Sequence, residues 1–304
     1  MEYIFKTEKL CKYYGDFKAL DGVDMAIPKG SIYGFVGRNG AGKTTMMRLM
    51  CGLQTPTGGE YTLFGKKNTD PELMKLRRCM GAVVETPAIY KDMSAYDNLK
   101  LQCVNVGLPN FNDIPEILEL VGLNNVGKKK AKNFSLGMKQ RLGIAVALCS
   151  HPDFLILDEP TNGLDPQGII EMRELILKLN REYGITVLIS SHILDELAKL
   201  ATHYGFIDHG KMIRQMSAQE LEKECRKCVR MKVDNTKVLA GIMEEKGIEY
   251  KIIDDSTADV YATFNFSEIA ADFAAKDSNI ISMEEHDESL EAFFISLVGG
   301  VDHA

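Results

Sequence analysis

The sequence predicts an α/β fold: a parallel sheet packed with helices, carrying a helical insertion and followed by a small α+β domain. Three observations predict it. A short apolar strand over residues 31–36 runs into a glycine-rich loop and then an apolar helix. Two further apolar strands, 154–157 and 186–190, flank an amphipathic helix, the alternation that builds parallel sheets. Beyond about residue 220 the pattern changes to short strands and helices in the order βαββαβ.

Residues 1–85 read as strands and turns, with one helix over 44–51. Residues 86–150 are more helical, with helical spacing over 94–106 and 115–122 and breaks at Pro109 and Gly122. The strand over 154–157 is wholly apolar, as a strand covered on both faces should be. The helix over 167–183 gathers Ile169, Ile170, Met172, Leu175, Ile176 and Leu179 on one side. These elements define a first domain, 1–220, with its helical insertion at about 86–150, and a second, 221–304.

In the second domain, strands are expected over 229–233, 249–253, 259–263 and 279–283, and helices over 238–246 and 267–275. That is the order of a ferredoxin-like split unit. A last helix over 289–298 carries an apolar stripe of Leu290, Phe293, Phe294, Leu297 and Val298, with Ser289 as N-cap.

Composition narrows the functional classes. The 304 residues carry a formal net charge of -7, which argues against nucleic acid as the main partner, because no basic excess is present to neutralise phosphates. Seven dispersed cysteines suggest reduced thiols in the cytosol, and the lone Cys225-x-x-Cys228 has neither a second pair nor a nearby histidine to complete a metal site. The N-terminus lacks the pattern of a signal peptide, and no apolar run approaches 18 residues, so the chain is not expected to cross a membrane by itself.

The loop from Gly37 to Thr44 fits G-x-x-x-x-G-K-[ST]. Its residues Gly37, Asn39, Gly40, Ala41, Gly42, Lys43 and Thr44, with Thr45 after them, turn sharply and aim backbone N–H groups at phosphates. The helix that follows adds its positive end. Lys43 can reach the β- and γ-phosphates, and the Thr44 hydroxyl can ligate Mg²⁺. A chance match is expected in roughly one chain in a hundred of this length, and the flanking strand and helix lower that figure.

A phosphate loop alone hydrolyses nothing. The strand over 154–157 ends in Asp158 and Glu159, at the carboxyl edge where open parallel sheets bind ligands. Asp158 is the candidate to hold Mg²⁺, and Glu159, one residue further out, is the candidate general base for the attacking water. An ordinary solvated pair of acids is the alternative; four apolar residues leading into both acids favour the functional reading.

Taken together, these segments resemble the nucleotide-binding subunits of ABC transporters over the first 215 or so residues. Phe134-Ser135-Leu136-Gly137-Met138 occupies the place of the signature Leu-Ser-Gly-Gly-Gln, Asn162-Gly163-Leu164-Asp165 matches the loop after the catalytic acid, and His192 matches the switch histidine. Tyr14 sits where the family has an aromatic residue that stacks on adenine. The resemblance implies a P-loop NTPase parallel sheet core with an N-terminal antiparallel β subdomain, ATP as substrate and Mg²⁺ as cofactor. It implies that Ser135 and Gly137, at a helix N-terminus, face the γ-phosphate held by a second subunit. It also implies a role for Asp165 at the nucleotide and for neutral His192 as a γ-phosphate donor. The partners implied are a second ATP-binding subunit, as a homodimer, and a separate transmembrane permease on the cytoplasmic side of the membrane.

Two departures carry information. Leu136 and Met138 replace a Gly and a Gln of the signature, while the donors Ser135 and Gly137 are kept. Glu85 stands where most members have a Gln that touches Mg²⁺ and links to the permease, a variant similar to that of bacitracin-type and lantibiotic-type peptide exporters. A carboxylate can still ligate the metal. The C-terminal domain is similar to tails on single-chain export ATPases and reads as a dimer brace. The rival readings are a soluble ATPase of the same superfamily, which usually carries two motor units or coiled-coil inserts, and a GTP switch, for which no Asn-Lys-x-Asp guanine reader is present.

Overall fold

The computed structural model describes residues 2–191, 194–225, 228–261, 265–286 and 290–299. Contacts between Cα atoms divide the chain into Met1–Ala218 and Gln219–Ala304. The N-terminal unit opens with strands β1 (Tyr3–Tyr14), β2 (Phe17–Val23), β3 (Ala26–Pro28) and β4 (Ile32–Val36). Helix α1 (Lys43–Met50) follows the glycine-rich loop, then come β5 (Gly58–Leu63), β6 (Lys66–Lys67), the short α2 (Leu73–Leu76) and β7 (Met80–Val83). The sequence pattern anticipates α1 as the only helix before residue 85; α2 is a single turn whose entry is held by Asp70 Oδ1, which accepts from the Glu72 N–H at 2.9 Å.

The insertion supplies α3 (Ala95–Val106), α4 (Ile114–Leu120) and α5 (Leu136–Leu148). Ser94 caps α3 by accepting from the Asp97 N–H at 3.1 Å, and Gly107 rather than Pro109 stops it. The chain returns through β8 (Phe154–Asp158), α6 (Pro166–Arg181), β9 (Thr186–Ser191), α7 (Leu194–Ala198), β10 (His203–Asp208) and β11 (Lys211–Ser217).

These strands form two sheets. One is antiparallel, in the order β2-β1-β5-β6, with β3 also paired to β1. The other runs β11-β10-β4-β9-β8-β7, with parallel pairings throughout except for the edge strand β11. Every residue of β4, β8 and β9 is buried, which is why their sequences are nearly continuous apolar runs. Met46, Met47, Leu49 and Met50 of α1 enter one core with Phe5 and Leu10 of β1, Phe35 of β4 and Phe154 of β8. Both sheets thus clamp the helix that carries Lys43 and Thr44.

The C-terminal unit includes most of α8 (Ala218–Glu224), then β12 (Cys228–Val233), α9 (Thr236–Lys246), β13 (Tyr250–Ile252), β14 (Thr257–Val260), α10 (Phe266–Ala275), β15 (Ile280–His286) and α11 (Leu290–Gly299). Its sheet order is β13-β14-β12-β15, all antiparallel, which is the ferredoxin-like arrangement that the βαββαβ order predicts. Met231, Val233, Leu239, Ile242, Val260, Ile269 and Phe273 fill its core. Ser289, the expected N-cap of α11, lies outside the described residues. Among the described residues no helix is long and apolar enough to cross a membrane.

Candidate nucleotide site

The site is built at the ends of β4 and β8, which flank β9 in the parallel sheet. After Val36 the chain turns through the loop and enters α1. At Gly42 the backbone lies at φ +112, and a Cβ there would stand 2.6 Å from the Ala19 carbonyl oxygen. Only glycine combines that conformation with that approach. The floor of the loop is the β10–β11 turn, His209-Gly210, with both residues at positive φ. The Gly210 N–H donates to the Ala41 carbonyl at 3.0 Å, and its own carbonyl accepts from the Asp21 N–H at 2.8 Å. A Cβ on Gly210 would lie 2.9 Å from the Ala19 oxygen. Gly210 therefore locks the loop to the antiparallel sheet, a role that sequence reading did not assign.

Asp158 closes β8, almost wholly buried. Thr44 Oγ1 donates to its Oδ2 at 2.9 Å, and Ser190 Oγ donates to its Oδ1 at 2.6 Å. Ser190 Oγ also accepts from the Glu159 N–H at 2.9 Å. One hydroxyl thus fixes both acids. The parallel register that pairs Asp158 with Ser190 brings it there, and sequence reading used Ser190 only as part of a strand. Glu159 adopts a left-handed backbone at φ +51, a conformation stored at functional positions in bulky residues. Lys43 Nζ donates to the Gly37 carbonyl at 2.6 Å and the Arg38 carbonyl at 3.2 Å, and lies 3.9 Å from Glu159 Oε1. Burial pushes the Lys43 ammonium below the usual lysine range, while the charges of Glu159 and Asp158 pull it part of the way back.

A cleft of about 410 Å³ opens over these groups, lined by Phe17, Ala19, Arg38, Asn39, Gly40, Gly42, Lys43, Thr44, Thr45, Glu85, Asp158, Glu159 and Asn162. Glu85, at φ +65, is paired with Arg48 of α1. Gly37 and Ala41 belong to the loop but do not line the cleft. Tyr14 does not line it either; its hydroxyl bonds Gln54 and its ring lies 5.2 Å from the Lys12 ammonium. Phe17, paired with Tyr14 across the β1–β2 hairpin, is the aromatic residue on the cleft wall, and sequence reading passed over it.

Ser135, Gly137 and Asp165 lie elsewhere. Ser135 caps α5, accepting from the Met138 N–H at 3.2 Å, and Asp165 caps α6, accepting from the Gly168 N–H at 3.2 Å. The two helix starts meet, because Gly163 approaches Leu136 and Gly137 approaches Leu164. His192 lies outside the described residues.

The parallel sheet, the phosphate loop at a helix N-terminus and the paired acids define a nucleotide-hydrolysing cassette. The family model described as ABC transporter matches residues 20–162. The chain is 41% identical over 303 residues to the bacitracin transport ATP-binding protein BcrA of Bacillus licheniformis, covering 99% of each chain. It is 46% identical over 221 residues, 73% of this chain and 91% of the relative, to the lantibiotic transport ATP-binding protein SrtF of Streptococcus pyogenes. A solved ATP-binding cassette, dimeric in a post-hydrolysis state with ADP and Pi, superposes with a TM-score of 0.64 at 26% identity, over 70% of this chain and 98% of that one. The chain belongs to the ABC transporter family, as an ATP-binding subunit whose ATP hydrolysis drives transport. Such cassettes dimerise and work with a transmembrane permease.

Two outcomes are expected. Ser190→Ala removes one of the two hydroxyls that hold a buried carboxylate and should cost about 1–3 kcal/mol in urea unfolding followed by circular dichroism. Lys43→Met should remove nucleotide-induced stabilisation, which for the wild type is about 2.7 kcal/mol at a ligand concentration of about 100 Kd. The sign with pH follows from the lowered Lys43 value. The cost of burying its charge is fully present below the folded value and is relieved as pH rises through it towards 10.5. Nucleotide-free Lys43→Met should lack that rise and be no less stable than the wild type at neutral pH.

Proposed function

We propose that two copies of this chain close over two ATP molecules, and that hydrolysis reopens them to move a separate permease exporting a peptide of the bacitracin or lantibiotic class. The observation that carries this reading is the convergence of Lys43, Thr44, Asp158 and Glu159 on one cleft. The named relatives supply the substrate class.

In this reading the backbone N–H groups of the loop from Gly37 through Thr45 bind the phosphates. Lys43 exchanges its two carbonyl partners for phosphate oxygens, which offset the cost of its burial. Thr44 Oγ1 and the Asp158 carboxylate are hard oxygen donors in one cleft, a set that fits Mg²⁺, with Glu85 as a further oxygen on its wall. Bound there, Mg²⁺ supplies neutralisation of charge on the phosphate oxygens. Glu159, held through its N–H by Ser190, accepts the proton of the attacking water at its carboxylate. Tyr14 and Phe17 bracket the hairpin that would meet the base. The start of α5, with Ser135 and Gly137, presents to the partner's γ-phosphate, alongside Asp165; His192 donates to the γ-phosphate of its own site.

The segment from about 85 to 110 docks the permease, which places the chain on the cytoplasmic face of the membrane without crossing it. Domain 221–304 braces the dimer.

Glu159→Gln is the test. It should bind ATP and slow hydrolysis by about 10²–10⁴-fold, and gel filtration at saturating ATP and Mg²⁺ should show a dimer. In cells the same variant, expressed with the native permease, should lose resistance to the exported peptide. A Glu159→Gln protein that stays monomeric with ATP bound would falsify the composite site.

A further inference from the structure

We infer that Arg48 is a positioning residue for nucleotide binding, cancelling the charge of Glu85 so that a carboxylate can stand in a cleft that receives phosphates. This rests on the ATP-site reading above.

The cleft wall carries three carboxylates, Glu85, Asp158 and Glu159. Each has its own charge or dipole relations. Asp158 accepts from two hydroxyls, and Glu159 lies 3.9 Å from the Lys43 ammonium. Glu85 Oε1 accepts from Arg48 Nη2. Arg48 sits one helical turn beyond Thr44 on α1, so the guanidinium is carried by the same rigid element that carries the phosphate-binding residues. A guanidinium keeps its proton at any accessible pH, so the cancellation is permanent.

Folding stability does not account for the pair. Arg48 is 36% exposed and Glu85 56%, and exposed pairs contribute little to folding. Yet Glu85 is held at φ +65, a region that a residue with a Cβ occupies only where its surroundings impose it. Its carboxylate lines the cleft that takes a polyanion, where an uncompensated negative charge would repel the ligand. With Arg48 attached, position 85 keeps its oxygens and loses its net charge.

Affinity for ADP in metal-free, low-salt buffer with EDTA tests this, since that readout needs neither Mg²⁺ nor turnover. The proteins are full-length wild type, Arg48→Met, Glu85→Gln and the double variant. Arg48→Met should weaken ADP binding about fivefold, and the loss should shrink at high salt. The double variant should return to within about twofold of Glu85→Gln, because no charge is left to cancel. Arg48→Lys should retain most of the wild-type affinity. An equal loss from Arg48→Met in both backgrounds, or no loss in either, overturns the inference and leaves the ATP site standing. A wild-type protein that binds ATP with Mg²⁺ but no ADP in EDTA overturns this inference alone, and one that binds neither overturns the ATP-site reading with it.

Discussion

Asp158 is a buried carboxylate at the end of the central sheet, and the arrangement of the site depends on how it is satisfied. An unpaired carboxylate in that place would cost several kcal/mol. Two hydroxyls meet it, Thr44 from α1 and Ser190 from β9. Each carries a further residue into place. Thr44 sets the register of α1, and hence of Lys43, while Ser190 also holds the Glu159 N–H. The start of α1 and the end of β8, the phosphate-binding and water-activating ends in the proposed mechanism, are therefore fixed by a single shared group. Thr44 and Asp158 are also hard oxygen donors in the cleft, so the pair that orders the site is also one that a divalent cation would engage.

That network would be loose if the loop itself could drift. It is held from below by backbone rather than by side chains. The His209-Gly210 turn reaches the Ala41 carbonyl on one side and Asp21 on the other, linking the parallel sheet's edge hairpin to the antiparallel sheet. From the far side, α1 buries four apolar residues in the core that both sheets share. A loop braced in this way holds its N–H groups in position before the ligand arrives, which is the preorganisation that phosphoryl transfer relies on.

The extent to which this was legible in the sequence follows from the range of each signal. The strands β4, β8 and β9 announce themselves as apolar runs because both their faces are covered, and α6 through its one-sided stripe. The split β-α-β unit of the C-terminal domain is readable from element order alone. Lys43 and Thr44 open α1 after the glycine-rich loop, and Asp158 and Glu159 stand at the end of β8, where local pattern and chemistry coincide. Ser190 and Gly210 were not legible as site residues, because their roles arise from pairing between strands far apart in the chain: a serine gains importance only when register sets it opposite Asp158. Phe17 against Tyr14 is the same problem at shorter range. A hairpin places the two residues opposite each other, and the side chain that reaches the cleft is a matter of packing, here of Tyr14 engaging Gln54.

The positions of Ser135 and Gly137 bear on the proposed dimer. They open α5, whose first N–H groups form an anion site, yet they lie away from the cleft that holds Lys43 and Glu159. Within the protomer Gly137 approaches Leu164 and Leu136 approaches Gly163, in the loop that follows Glu159 and ends at Asp165. In the proposed cycle, a shift of Glu159 and its loop would reach the start of α5 through these contacts. In the proposed dimer the loop would join the Glu159 end of one site to the helix start that this chain offers to another. Two copies related by a twofold axis would each meet the other's nucleotide with that helix start, since Ser135 and Gly137 lie away from the cleft of their own protomer. In the proposed dimer ATP would act as the bond between protomers, and release of phosphate after hydrolysis would remove the charge that α5 of one chain meets on the other.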